Sequence, residues 1–125
     1  MHPVVEWKNN KVYMIDQRVL PVEEKFIEHS HYSEVARSIK DMVVRGAPAI
    51  GVSAAMGIAL GILNTEDNFD SEFKKITATM ADTRPTAVNL FWAIDRMTAV
   101  YEKYKSNPAE LKEKAVEEAI AIDHE

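Results

Sequence analysis

Residues 47–63 constrain the fold more than any other stretch of the chain. The run from Ala47 to Leu63 contains one clearly polar residue, Ser53. A helix with no polar face has to be covered on all sides, by a protein core or by a membrane. This run falls slightly short of a spanning length and is built from Gly and Ala rather than Leu and Phe, so it reads as a buried core helix. No membrane partner is expected. Pro48 is placed to open the helix, because the missing N–H of proline costs nothing in the first turn. The helix is expected to reach about Asn64. Its small residues, Gly51, Ala54, Ala55, Gly57 and Gly61, allow neighbouring backbones to come close.

What covers that helix is read from both flanks. The first thirty residues read as β. Val4-Val5-Glu6-Trp7 and Val12-Tyr13-Met14-Ile15 are rich in β-branched and aromatic residues, and Asn9-Asn10 between them suits a tight hairpin turn. Asp16-Gln17-Arg18 then leads to Leu20-Pro21, and a third short strand is expected around Lys25–Glu28. From Tyr32 onward the pattern is helical. Ser33 is the candidate N-cap of a helix with Val35, Ile39, Met42 and Val43 at helical spacing. After the apolar helix comes a polar loop from Asn64 to Asp70, then a third helix capped by Asp70 or Ser71. Pro85 is expected to open a fourth helix, with Leu90, Ile94, Met97 and Tyr101 on one face. Asn107-Pro108 marks a break before a fifth helix from Ala109. The fold class expected is α+β, with about three antiparallel strands (residues 4–28) followed by about five helices (33–125).

The 125 residues are one domain's worth of chain. A net charge of −5 with scattered basic residues argues against nucleic acid as the main partner. The absence of cysteine excludes disulfides, thiolate metal sites and a cysteine nucleophile within the chain, and fits a cytoplasmic protein. The N-terminus has no basic segment followed by an apolar run, so it does not read as a signal peptide. Ala115, Ala119 and Ile122 keep the helical period nearly to the last residue, which ends on Asp123-His124-Glu125 without a cap. Acidic groups are unfavourable at a helix C-terminus. A chain cut from something longer is therefore expected, with simple fraying as the alternative.

Two arginines stand where helix electrostatics disfavours them. Arg45 lies in Val44-Arg45-Gly46-Ala47-Pro48, and Arg84 in Thr83-Arg84-Pro85-Thr86. Each precedes a proline that reads as a helix opener, where partial positive charge accumulates. An anion between them would reconcile the placement, and phosphate fits the free N–H groups of a helix start. Arg45 offers a bidentate fork, Gly46 allows close approach to the backbone, and Ala47 adds an N–H group. Arg84 supplies a second guanidinium and Thr86 a possible hydroxyl donor. On spacing alone, a surface or salt-bridge role beside Asp41 and Asp82 explains both arginines equally well. His29-Ser30-His31 places two imidazoles two apart with no third ligand, so no metal is expected; no cofactor is expected either. Asp16 reads as a turn residue. Trp7 and Trp92 read as core aromatics. Lys103, Lys105, Lys112 and Lys114 read as a solvated face among glutamates.

Val43-Val44-Arg45-Gly46-Ala47-Pro48-Ala49-Ile50-Gly51-Val52 resembles a signature of the methylthioribose-1-phosphate isomerases. So does Thr83-Arg84-Pro85-Thr86-Ala87-Val88-Asn89-Leu90-Phe91-Trp92-Ala93. The opening segment, with Trp7, Ile15-Asp16-Gln17 and Leu20-Pro21, is similar to that family's N-terminal strands. The wider superfamily includes the regulatory subunits of translation initiation factor two-B and archaeal ribose-1,5-bisphosphate isomerases. The resemblance implies a small N-terminal domain (residues 1–125) whose partner, a Rossmann-like catalytic domain, is absent here. It implies that Arg45, Gly46, Ala47 and Arg84 bind a sugar phosphate during aldose–ketose isomerisation in methionine salvage. It places the catalytic cysteine and acid/base aspartate in the missing domain, and it implies a homodimer for the full-length protein. The alternatives are a regulatory or assembly module like the initiation-factor subunits, and an isomerase of another sugar phosphate such as ribose 1,5-bisphosphate.

Overall fold

A hairpin closed by two left-handed asparagines begins the chain. The computed structural model describes residues 4–19, 25–44 and 46–124, so Leu20-Pro21 lies outside the described residues. Strand β1 (Val5–Lys8) pairs antiparallel with β2 (Lys11–Ile15), and β2 with β3 (Phe26–His29). Asn9 and Asn10 take φ of 55° and 58°, the pair of positive values that a two-residue hairpin of this twist requires. The register puts Val5, Val12, Met14 and His29 on one face, and all four are buried. The opposite face carries Lys11, Tyr13 and Glu28. There Lys11 Nζ and Tyr13 Oη both donate to Glu28, at 2.8 and 3.2 Å. This alternation is what a sheet with one solvated side demands.

Five helices follow: α1 (Tyr32–Lys40), α2 (Ala47–Leu63), α3 (Phe69–Ala81), α4 (Val88–Tyr104) and α5 (Pro108–Asp123). The expected α+β class holds. Helix α2 is the apolar run, and it packs against β1, β2 and the other four helices. From Ile50 to Ile62 every residue except Val52 is buried. Ser53 loses nothing by burial, since its hydroxyl donates to the Ala49 carbonyl at 2.7 Å. The small residues do what their spacing promised. A methyl group on Gly61 would lie 2.6 Å from Ile76 Cδ1 and 2.9 Å from its Cγ1, and one on Gly57 would lie 2.9 Å from Val35 Cγ1. The core faces of α4 (Leu90, Met97, Tyr101) and α5 (Ala115, Ala119, Ile122) are buried as read, and Ile94 is half-buried. Trp7 is partly buried against the core.

Several elements begin or end at residues other than those expected. The cap of α1 is His31 rather than Ser33: its Nδ1 accepts the Ser33 N–H at 3.1 Å, and Glu34 accepts the His31 N–H at 3.0 Å in return. An imidazole nitrogen here takes the place of the usual hydroxyl. Met42 is outside α1, with φ of 65° and its side chain exposed. It occupies the left-handed position of a Schellman ending, where Met42 N–H donates to the Ile39 carbonyl and Val43 N–H to that of Ser38. Helix α2 starts one residue before Pro48, and α5 starts at Pro108 with Asn107 as its cap. In α3 the N-cap position belongs to Asn68, with Asp70 and Ser71 already in the first turn. Pro85 does not open α4. The Ala87 N–H donates to the Arg84 carbonyl at 2.9 Å, so Pro85 is the second residue of a tight turn, and α4 begins three residues later. Trp92 is not a core residue; it is 44% exposed.

This packing makes stability sensitive at two points. Gly61→Ala pushes a methyl group against three carbons of Ile76, and rotating its terminal methyl away would still leave Cγ1 at 2.9 Å and Cγ2 at 3.2 Å. The substitution is expected to cost about 1–3 kcal/mol by chemical denaturation. His29 is buried with both ring nitrogens engaged, Nδ1 with the Val12 carbonyl at 2.8 Å and Nε2 with Ser38 Oγ at 2.7 Å. Burial holds its pKa below the ordinary 6.5. The unfolded chain therefore takes up a proton that the folded chain resists, and stability declines as pH falls below about 6.5, by up to ~1.4 kcal/mol per pH unit. Urea melts between pH 7 and 5 should show this slope, and His29→Gln should lack it.

Candidate functional site

The helix directions bring the two motifs together. Gly57 and Gly61 of α2 meet Met80 and Ile76 of α3, so these helices are antiparallel. The ring of Tyr101 in α4 stacks on Phe73 in α3 at 4.0 Å, and its hydroxyl bonds to Asp70, so α4 is antiparallel to α3 in turn. Helices α2 and α4 therefore run parallel. Their starts lie at one end of the bundle, where Gly51 faces Asn89 so closely that a methyl group would sit 3.3 Å from the Asn89 carbonyl oxygen.

These two starts differ from the other three. Helix α1 has its reciprocal cap and Glu34, α5 has the Asn107 cap and Glu110, and α3 has Asp70 and Glu72 in its first turn. Helices α2 and α4 have neither a side-chain cap nor an acidic residue in the first turn. Each leaves N–H groups of its first turn without an intrahelical acceptor. Parallel dipoles add partial positive charge at the same end. Gly46 and Ala47 are exposed there. Gly46 takes φ of 96° and ψ of 136°, open only to glycine at low cost, and a methyl group on it would meet nothing within 4 Å. Among the described residues other than its chain neighbours, no side chain crowds Gly46.

Arg84 stands at the entrance to α4. Its Nη1 is buried and has no hydrogen-bond partner among the described residues. A buried guanidinium nitrogen left without an acceptor is costly, and an incoming anion removes that cost. The salt-bridge alternative fails for this arginine among the described residues: Asp41 pairs with Arg37 at 3.5 Å, and no carboxylate reaches Arg84. Thr83 next to it is buried and donates to the Met80 carbonyl at 2.7 Å, which anchors the turn to the end of α3. Thr86 is exposed, with no side-chain bond among the described residues. Arg45 lies outside the described residues.

The segment that enters α2 is tied to the sheet. Asp16 N–H donates to the Lys25 carbonyl and Gln17 N–H to that of Val43, both at 2.8 Å. The carboxylate of buried Asp16 accepts from Arg18 Nε, Nη2 and backbone N–H, at 2.8–3.0 Å. The bond from the Arg18 side chain, against the opposing effect of burial, holds the Asp16 carboxyl below its ordinary range. Asp16 thus has the turn role expected of it. Beside Gly46, toward β1, an open groove of about 430 Å³ is lined by Val4, Val5, Pro48, Ala49, Val52 and Asp123. Among the described residues no three His, Asp or Glu side chains are placed to hold a metal, and no helix is long and apolar enough to cross a membrane.

The structure places Gly46, Ala47, Arg84 and Thr86, the described residues that sequence reading singled out, at or next to the starts of α2 and α4. Sequence reading missed that these starts are parallel, which depends on how α3 turns the chain back. It also missed a second apolar stripe on α4. Val88, Phe91 and Trp92 are 79, 38 and 44% exposed, on the side opposite Leu90, Ala93 and Met97. Their i, i+3, i+4 spacing was the available signal.

Known proteins share both the sequence and this architecture. The model of the initiation factor 2 subunit family matches residues 43–125. Methylthioribose-1-phosphate isomerase of Geobacter sulfurreducens is 49% identical over 126 residues, covering 97% of this chain and 36% of that protein. Its counterpart in Koribacter versatilis is 50% identical over 123 residues, covering 94% and 35%. The crystal structure of 5-methylthioribose 1-phosphate isomerase from Pyrococcus horikoshii superposes with a TM-score of 0.92 at 43% identity, over 98% of this chain and 36% of that one. That of translation initiation factor eIF-2B subunit delta from A. fulgidus gives 0.85 at 36% identity, with the same coverage. The chain thus spans little more than a third of the length of these relatives. By a family model that covers well over half of its residues, the chain belongs to the initiation factor 2 subunit family.

Proposed function

We propose that this chain is the phosphate-binding N-terminal part of an isomerase that converts 5-methylthioribose 1-phosphate to 5-methylthioribulose 1-phosphate. The buried, unpartnered Nη1 of Arg84 beside two uncapped parallel helix starts carries the reading. The phosphate would lie between the N–H groups of Gly46 and Ala47 and the Arg84 guanidinium. Arg45 would add a second fork and Thr86 a hydroxyl. The identity to isomerases of this name supports the choice of sugar.

Such a site binds and positions but does not react. Aldose–ketose isomerisation moves a proton or hydride between adjacent carbons and needs a group that changes protonation state. Arginine stays charged at all working pH values. These residues would neutralise the phosphate and fix the sugar relative to a second domain that supplies the acid, base or nucleophile. In the full-length protein, that domain would be the Rossmann-like one that the resemblance implies, in a homodimer working in the cytoplasm. An assembly module resembling the initiation-factor subunit is the competing reading, favoured by the A. fulgidus likeness. The unpartnered Nη1 of Arg84 favours the phosphate-binding reading over that one.

Calorimetric titration of the chain with 5-methylthioribose 1-phosphate tests the proposal. Arg84→Ala and Arg45→Ala should each weaken binding about 10- to 100-fold, the effect of losing a hydrogen bond to a charged group. Wild-type affinity in both variants would refute the phosphate role, and tighter binding of ribose 1,5-bisphosphate would reassign the sugar. The 125-residue chain alone should bind without turnover. Ketose formation by the purified chain would show that the chemistry resides here after all.

A further inference from the structure

Helix α4 is apolar on two opposite faces. Leu90, Ala93, Met97 and Tyr101 point into the core. Val88, Phe91 and Trp92 form a second stripe on the outer side, confined to the first turn and a half, and all three are exposed. The stripe is held in shape. Arg96 lies 5.0 Å from the centre of the Trp92 ring and is itself fixed by Glu118 of α5, at 2.8 and 3.1 Å. A large, ordered apolar stripe costs solubility unless something covers it.

Its position narrows what the cover is. Val88 is the first residue of α4, so the stripe begins where the proposed phosphate site ends. Val88 is exposed and four residues from Arg84, so a body that brings an acid or base to a sugar held at Arg84 comes close to the stripe. Nearly two thirds of the length of each relative lies outside the part that this chain matches. We infer that the Val88–Phe91–Trp92 face of α4 is the docking surface for the second domain, seating it over the phosphate site. This rests on the reading above that the chemistry comes from that domain.

The inference is tested by thiol labelling, which the absence of native cysteine makes clean in the isolated chain. Val88→Cys is placed in the chain alone and in a fusion where the chain replaces the matching third of the Geobacter sulfurreducens relative. The rate of maleimide modification at that peptide is then followed by mass spectrometry. Modification should be at least about tenfold slower in the fusion, since thiol reactivity follows access. Equal rates would overturn the inference. Sedimentation of the isolated wild-type chain should show a monomer; a dimer abolished by Trp92→Ser would assign the face to a second copy instead. The double variant Val88→Ser/Trp92→Ser should leave the melting temperature of the isolated chain nearly unchanged. A large drop would make the stripe part of this chain's own fold and overturn docking. None of these measurements uses a sugar phosphate. Slow labelling of the Val88→Cys fusion, together with unaltered sugar affinity in Arg84→Ala, would therefore refute the phosphate site alone.

Discussion

Everything in this structure is arranged around the need to bury α2 on every side. No single sheet or helix can do that, so β1 and β2 cover one part of its surface and α1, α3, α4 and α5 the rest. The glycines set how close the neighbours come. Gly57 and Gly61 accept Met80 and Ile76 from α3, and Gly51 accepts the backbone of Asn89 from α4. Burial of apolar side chains is the driving force, and absence of side chains at these points gives the close fit.

The proposed site is a by-product of that burial. Helix α2 must start at the bundle end where the chain leaves Val44, and α4 must start beside it because α3 has carried the chain back along α2. Two parallel helix starts at one end concentrate positive potential. Capping residues or acidic first turns would cancel it, as they do in α1, α3 and α5. Their absence in α2 and α4 leaves the potential available, and the turn at Pro85 holds Arg84 at the edge of it.

Much of this was legible in the sequence. Asn9-Asn10 announced the hairpin because few residues tolerate φ near 55° in succession. The apolar run announced a central helix through its lack of a polar face. Gly46, with its positive φ, and Arg84, with its buried nitrogen, both lie where motif reading looked for them. Pro85 misled because proline suits the second residue of a turn as well as the first turn of a helix, and only the Ala87–Arg84 hydrogen bond separates the two. Trp92 misled because its size argues for burial, whereas its angular position on α4, opposite Leu90 and Met97, argues against burial within this domain. His31 was passed over as a cap because imidazole is rare in that role.

We propose that two neighbouring uncapped helix starts and Arg84 form one anion site. Nuclear magnetic resonance of the 15N-labelled chain during titration with inorganic phosphate tests it most directly. Saturable shifts should concentrate at the amides of Gly46, Ala47, Val88 and Asn89 and at the Arg84 side chain, with the capped starts of α1 and α5 unmoved. Shifts scattered over the surface lysines, or equal at all five helix starts, would contradict it.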